Sequence, residues 1–239
     1  MEGNSLQMTL TWIEDKTDPS VNDRSLFPEV PDSIWAALGL EEGIPSSMSC
    51  FLIQTEGKNI LFDTGLGAPF SQLQSSLSEK GLTADSIDYI FLTHLHGDHI
   101  GGMLSDGKVV FPNAEVYVNR VEAEAWANMT EDKGDQASAI LNAYKDRLHK
   151  FEAGDTLDCA IVSIPAYGHT PGHTVYSIRN ILIGGDIMHG VALQSRYPEY
   201  CARYDMDQEA AVESRKRILK YAKDNNQTLI GMHFPPISE

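Results

Sequence analysis

The segment FLTHLHGDHIGGM, Phe91 to Met103, decides how this chain is read. It places His94, His96, Asp98 and His99 within six positions, in a chain with only 8 histidines. A short apolar run precedes the cluster, as for a strand that delivers side chains at its carboxyl end. In an extended segment alternate side chains share a face, so His94 and His96 can grip one ion from one side. Asp98 and His99 are neighbours and do not share a direction in any regular element. They are placed to serve a second ion, with Gly97 allowing the chain to bend between the pairs.

Two ions need further ligands, and loops at strand ends are where such groups sit on a rigid scaffold. YGHTPGHTVY offers His169 and His173. ILIGGDIMHG offers Asp186 and His189, and TLIGMHFPP offers His233.

The rest of the chain narrows the class. The 239 residues carry 34 acidic and 18 basic side chains, a net charge of -16. Such a charge repels nucleic acid and anionic membranes. The N-terminal MEGNSLQM lacks the basic and apolar regions of a secretion signal. No apolar run is long enough to span a bilayer. Cys50, Cys159 and Cys201 are odd in number and scattered, which fits a reducing cytoplasm and no disulfide framework. No linker or repeat divides residues 1–239, so a single domain is expected.

Strands are expected at MTLTWIE, at MSCFLIQT and KNILFDTG as a hairpin, at AEVYVN, and at AIVSIPAY, TVYSIR, ILIGGD and TLIGMHF. Helices are expected near DSIWAALGL, PFSQLQSSLSEKG, RVEAEAWANM, DQASAILNAYKDRLH and DQEAAVESRKRILKYAKDN. The irregular ALQSRYPEYCARYDMD is expected to edge the site. Short strands that pair first and meet helices later suit two sheets packed face to face, with helices outside.

Five motifs, FDTG, HLHGDH, GHTPGHT, GGD and GMHF, resemble in order those of the metallo-β-lactamase superfamily. HGDHIGGM, FPNAEVYVNRVEAEAW and GDIMHGVALQ are most similar to its methyl parathion hydrolase and quorum-quenching lactonase branch. The resemblance implies an α/β (α+β) fold, an αββα sandwich of two mixed sheets with the metals at one edge. It implies that His94, His96 and His173 hold one ion, that Asp98, His99 and His233 hold the other, and that Asp186 bridges them. His169 is then a hydrogen-bonding loop residue, and Asp63 supports the histidine loop. His149 is expected on the surface at a helix end. A homodimer is also implied.

The donor set suits two Zn²⁺ per chain, with iron, manganese or cobalt as other divalent choices. The expected activity is hydrolysis of a small neutral ester or lactone by a hydroxide shared between the ions. Asp98 would relay a proton to the leaving group. His189 stands near a place where lactonases of the superfamily carry a tyrosine, and is read either as a hydrogen-bond donor to substrate or as a plain loop residue. Leu66, Phe70, Met188 and Phe234 are candidate pocket walls. The alternatives are a phosphotriester hydrolase, a mononuclear iron dioxygenase of persulfides and a non-catalytic metal-binding domain.

Overall fold

The structure is a computed structural model describing residues 8–18, 20–129 and 132–235. In chain order, β1 (Thr9–Glu14) and β2 (Ser20–Asn22) precede α1 (Asp32–Leu38). Next come β3 (Ile44–Ser46), β4 (Ser49–Thr55), β5 (Lys58–Phe62), α2 (Leu73–Glu79) and β6 (Tyr89–Phe91). The short α3 (Gly97–Ile100), β7 (Leu104–Ser105) and β8 (Lys108–Val109) lead into β9 (Glu115–Asn119) and α4 (Arg120–Ala127). After α5 (Asp132–Ala143) come β10 (Leu148–Phe151), β11 (Val162–Pro165), β12 (Thr174–Ile178) and β13 (Ile181–Ile183). The chain closes with α6 (Val191–Gln194), α7 (Gln208–Asp224) and β14 (Thr228–Ile230). The N-terminal residues 1–7, read for a secretion signal, lie outside the described residues, and no helix among those described is long and apolar enough to cross a membrane.

A six-stranded sheet runs β1-β4-β5-β6-β9-β10, and a four-stranded sheet runs β11-β12-β13-β14. Both are mixed: β1, β4 and β5 pair antiparallel, while β5, β6, β9 and β10 pair parallel. In the smaller sheet only the β13–β14 pair is parallel.

Period-two alternation sorts the strand residues onto two buried faces. Phe51, Ile53, Phe62 and Phe91 of the larger sheet meet Tyr176, Ile178 and Ile183 of the smaller one in the central layer. Cys50, Leu52, Leu61 and Val116 face the other way, against Leu77 of α2, Trp126 of α4 and Ile140 of α5. Val175 and Leu182 meet Ile218 and Ala222 of α7. This is the αββα order expected from the sequence.

Two local expectations fail. The segment read as one helix through His149 stops at Ala143, and Leu148–Phe151 forms the edge strand β10 beside β9. His149 is exposed and stacks on Tyr117 at 4.7 Å, so it is a surface residue on a strand. Met188 and Phe234 are buried in the layer beneath α7 and do not line a pocket. The β2–β3 pair was not anticipated; it forms a small separate sheet.

One buried carboxylate fixes the loop after β5. Asp15 is wholly buried. It accepts from Leu66 N at 3.0 Å, Ser71 Oγ at 2.7 Å, Gln72 N at 3.0 Å and Leu73 N at 3.2 Å. It therefore supplies from a distance the cap that the first turn of α2 lacks locally. Asp15→Ala strands several of these donors, each worth about 1–3 kcal/mol when buried and unpaired. Urea unfolding of the variant should show a loss of about 2–4 kcal/mol; a loss below about 1 kcal/mol would mean that water replaces the carboxylate without cost.

Candidate metal centre

The carboxyl ends of β5, β6, β13 and β14 meet at one edge of the sandwich, with the loop between β11 and β12. The loop after β6 carries His94, His96, Asp98 and His99. Asp186 follows β13, His233 follows β14, and His169 sits in the β11–β12 loop.

These side chains form two clusters that share Asp186: His94, His96, His169 and Asp186 on one side, and Asp98, His99, Asp186 and His233 on the other. His96 Nδ1 lies 2.9 Å from both His94 Nε2 and His169 Nε2. Asp186 Oδ1 is 3.0 Å from His99 Nε2, and Oδ2 is 3.3 Å from both His169 Nε2 and His233 Nε2. His233 Nε2 is 3.5 Å from Asp98 Oδ2.

The outer hydrogen bonds set which ring nitrogens are bare. His99 Nδ1 donates to Asp63 Oδ2 at 2.7 Å, and His169 Nδ1 donates to Asp205 Oδ1 at 3.0 Å. His233 Nδ1 donates to the Ser47 carbonyl at 3.0 Å. Thr93 Oγ1 gives its proton to Asp63 Oδ2 and so accepts from His94 Nδ1 at 3.1 Å. Each of these four rings turns Nε2 inward. Ring nitrogens that converge this closely on a buried carboxylate call for positive charge among them, and an outward Nδ1–H to oxygen is the arrangement metal-binding histidines adopt. His99 Nε2 and Asp186 Oδ1 are buried without a hydrogen-bond partner among the described residues. The residues therefore fit divalent ions.

Electrostatics differ between the two sides. Burial, and then the neighbouring rings His99 and His96, holds His94 well below its usual pKa. Burial and His169 depress His96 to about 3. Both rings are thus neutral, as ligands must be. Burial opposes charge on His99, but Asp186, Asp63 and Asp98 outweigh it and hold that ring well above its usual value. Positive charge is favoured there.

One expected ligand lies outside both clusters. His173, expected with His94 and His96, belongs to neither cluster. Its Nδ1 donates to the Ala166 carbonyl at 3.1 Å and its Nε2 accepts from Asp186 N at 3.0 Å, so both nitrogens are committed. Burial and His169 lower its pKa to about 3, in keeping with that acceptor role. His173 orients the shared aspartate, and His169 takes the cluster position. Asp63 does what was expected: it accepts from Thr93 N and Thr93 Oγ1, each at 2.8 Å, and from His99.

His189, His169 and Asp205 make a third acidic and imidazole group. Arg215 Nη2 already stands 2.9 Å from Asp205 Oδ2, and that fixed charge disfavours an ion there. His189 is buried, its Nε2 is 3.2 Å from Asp186 Oδ2, and its ring stacks on His233 at 4.9 Å. Asp205, Ser47 and Arg215 were not singled out from the sequence. Their partners are distant in the chain, and no local motif marks them.

Both clusters open on a cavity of ≈ 890 Å³. Val21, Met48, Leu66, Trp126 and Tyr204 give it apolar walls, and Lys16 is the cation that lines it among the described residues. Leu66 and Tyr204 bear out the expectation for their segments, while Phe70 is exposed and outside the lining.

This chain belongs to the Metallo-beta-lactamase superfamily, whose sequence profile matches residues 43–233. It is similar to the solved structure of AbOPH, described as a hydrolase in the beta lactamase superfamily: 28% identity, TM-score 0.86, covering 95% of this chain and 87% of that one. It is also similar to AidC, described as a dizinc quorum-quenching lactonase in complex with a product: 28% identity, TM-score 0.83, covering 96% and 88%. Among curated sequences, YobT of Bacillus subtilis is 25% identical over 146 residues, 58% of this chain and 61% of YobT. Ribonuclease Z of Saccharolobus islandicus is 39% identical over 70 residues, 28% of this chain and 22% of that enzyme. The match thus spans about three-fifths of the first of these relatives and about a fifth of the second.

The swap of His169 for His173 has a direct check. At saturating zinc, His169→Ala should retain one equivalent and His173→Ala two, measured by elemental analysis after gel filtration. The reverse pattern would restore His173 as the ligand.

Proposed function

We propose that the protein is a dinuclear metal-dependent hydrolase, with Zn²⁺ as its ion and a small neutral ester or lactone as its substrate. The observation that carries this reading is the pair of clusters sharing Asp186 and facing a single cavity. The second cluster, in which His233 approaches Asp98, favours two ions over one, and so a hydrolase over a mononuclear dioxygenase. The similarity to AidC supports a lactone, and the cavity's size and apolar walls suit an acyl group.

Bound divalent ions supply Lewis acidity and bring the acidity of water close to neutral pH. The chain's own residues do the rest. Val21, Leu66 and Tyr204 seat the apolar part of the substrate. Asp98 is partly exposed at the cavity, and its assigned role is to pass a proton to a leaving oxygen. His189 is held neutral by burial, and its Nε2 donates to Asp186 Oδ2, steadying the shared carboxylate. Gln194 Oε1 accepts from His189 N at 2.8 Å and Asn22 Nδ2 donates to its carbonyl at 2.6 Å, which fixes the ring's position.

The reading is tested by metal quantification followed by assay of the replete protein on an acyl lactone, an aryl ester, a phosphotriester and a thioester. Close to two ions per chain and turnover of the lactone or ester are expected. One ion at saturation, or turnover of the phosphotriester alone, would overturn it.

Two variants test the assigned roles. Asp98→Asn keeps the shape but loses the charge, and kcat should fall at least roughly a hundredfold, the scale of general acid catalysis. Near-normal turnover in the fully metallated variant would remove Asp98 from the chemistry. His189→Ala should lose about tenfold in kcat/KM, equivalent to about 1.4 kcal/mol. Its metal content should stay at the wild-type level, and a parallel fall in metal would make His189 a ligand.

A further inference from the structure

Glu122 is a wholly buried carboxylate that belongs to neither cluster. It lies in the first turn of α4 and accepts four hydrogen bonds. Oε1 takes Leu95 N at 3.0 Å and Trp126 Nε1 at 2.7 Å. Oε2 takes Thr170 Oγ1 at 2.9 Å and Gly172 N at 2.7 Å. Leu95 stands between His94 and His96, and Thr170 follows His169. A single side chain therefore ties together the two loops that supply the imidazoles of one cluster. The contact is close: a Cβ on Gly172 would come within 2.3 Å of Glu122 N.

The partners demand acceptor oxygens on both arms of the side chain. Three of the four partners are N–H groups, which cannot accept. A glutamine amide would turn its NH₂ either on Leu95 N and Trp126 Nε1 or on Gly172 N, leaving donors face to face and buried. Trp126 adds a second link, since its ring meets His96 edge-on at 5.4 Å.

We propose that Glu122 is a positioning residue that sets the separation of the His94–His96 and His169 loops, and so governs affinity for the ion on that side of the centre alone. The inference rests on the metal reading above. The bonds of Asp63, His233 and Asp98 on the other side do not pass through Glu122.

The test is a zinc titration of metal-stripped protein against a chromophoric chelator, with anomalous scattering from crystals at limiting zinc to assign each site. In Glu122→Gln, affinity at the His94–His96–His169 side should fall about 10–100-fold, the usual loss when a group orienting a ligand is removed. Affinity at the His99–His233 side should stay within about twofold of wild type. Thr170→Val removes one of the four bonds while leaving the carboxylate. It should weaken the same side by less, and it carries the test should Glu122→Gln not fold. Equal losses on both sides would show general destabilisation, and no loss on the first side in whichever variant folds would show no positioning role; each overturns the proposal. If wild-type protein takes up no zinc, the metal reading itself fails, an outcome separable from these.

Discussion

Everything at the functional edge is arranged around the carboxylate of Asp186. It is buried, it faces His99 on one oxygen, and it faces His169, His189 and His233 on the other. Burial alone would push its proton affinity up, yet His233, His99 and His189 hold it well below the usual carboxylate range. A buried anion must be answered by positive charge or be neutralised. Asp205 has Arg215. Asp186 has no lysine or arginine within ion-pair distance among the described residues; its partners are imidazoles, most with their outer nitrogen already donating to oxygen. A divalent ion held beside it would answer that buried charge.

Supporting groups reach this carboxylate from far along the chain. His173 accepts from its backbone N–H, and Asp63 and Asp205 orient His99 and His169. Each link spans a loop whose position is set by the packed sheets, so precision at the site is inherited from the core. The apolar layers need only bring four strand ends to one edge; the buried carboxylates then fix the loops that leave them.

The parts legible in the sequence are those whose information is local. The two apolar runs MSCFLIQT and KNILFDTG, separated by a short turn, marked the β4–β5 hairpin, and the crowding of His94, His96, Asp98 and His99 marked the site. His169 and His173 sit four residues apart in one loop, and spacing says nothing of which ring has an uncommitted nitrogen. That depends on Asp205 and on Asp186 N, both contributed by later parts of the chain. Nothing local marks Glu122, because its four donors come from two loops and a neighbouring indole. The edge strand Leu148–Phe151 was hidden by its polar residues, which are tolerated where only one flank is paired.

The partition of the clustered side chains between the two sheets has a mechanical consequence. His94, His96 and His99 hang from the larger sheet, whereas His169, Asp186 and His233 hang from the smaller. Between the sheets the central layer is aromatic and aliphatic, and resists separation without preferring one edge to another. At the functional edge, by contrast, imidazoles from both sheets crowd around one buried carboxylate. An ion bound by groups from both sheets would be a clasp across the sandwich, and its binding free energy would add to the cohesion of the fold. Chelation would act on the protein as a loosening of one seam, with breathing concentrated where substrate enters.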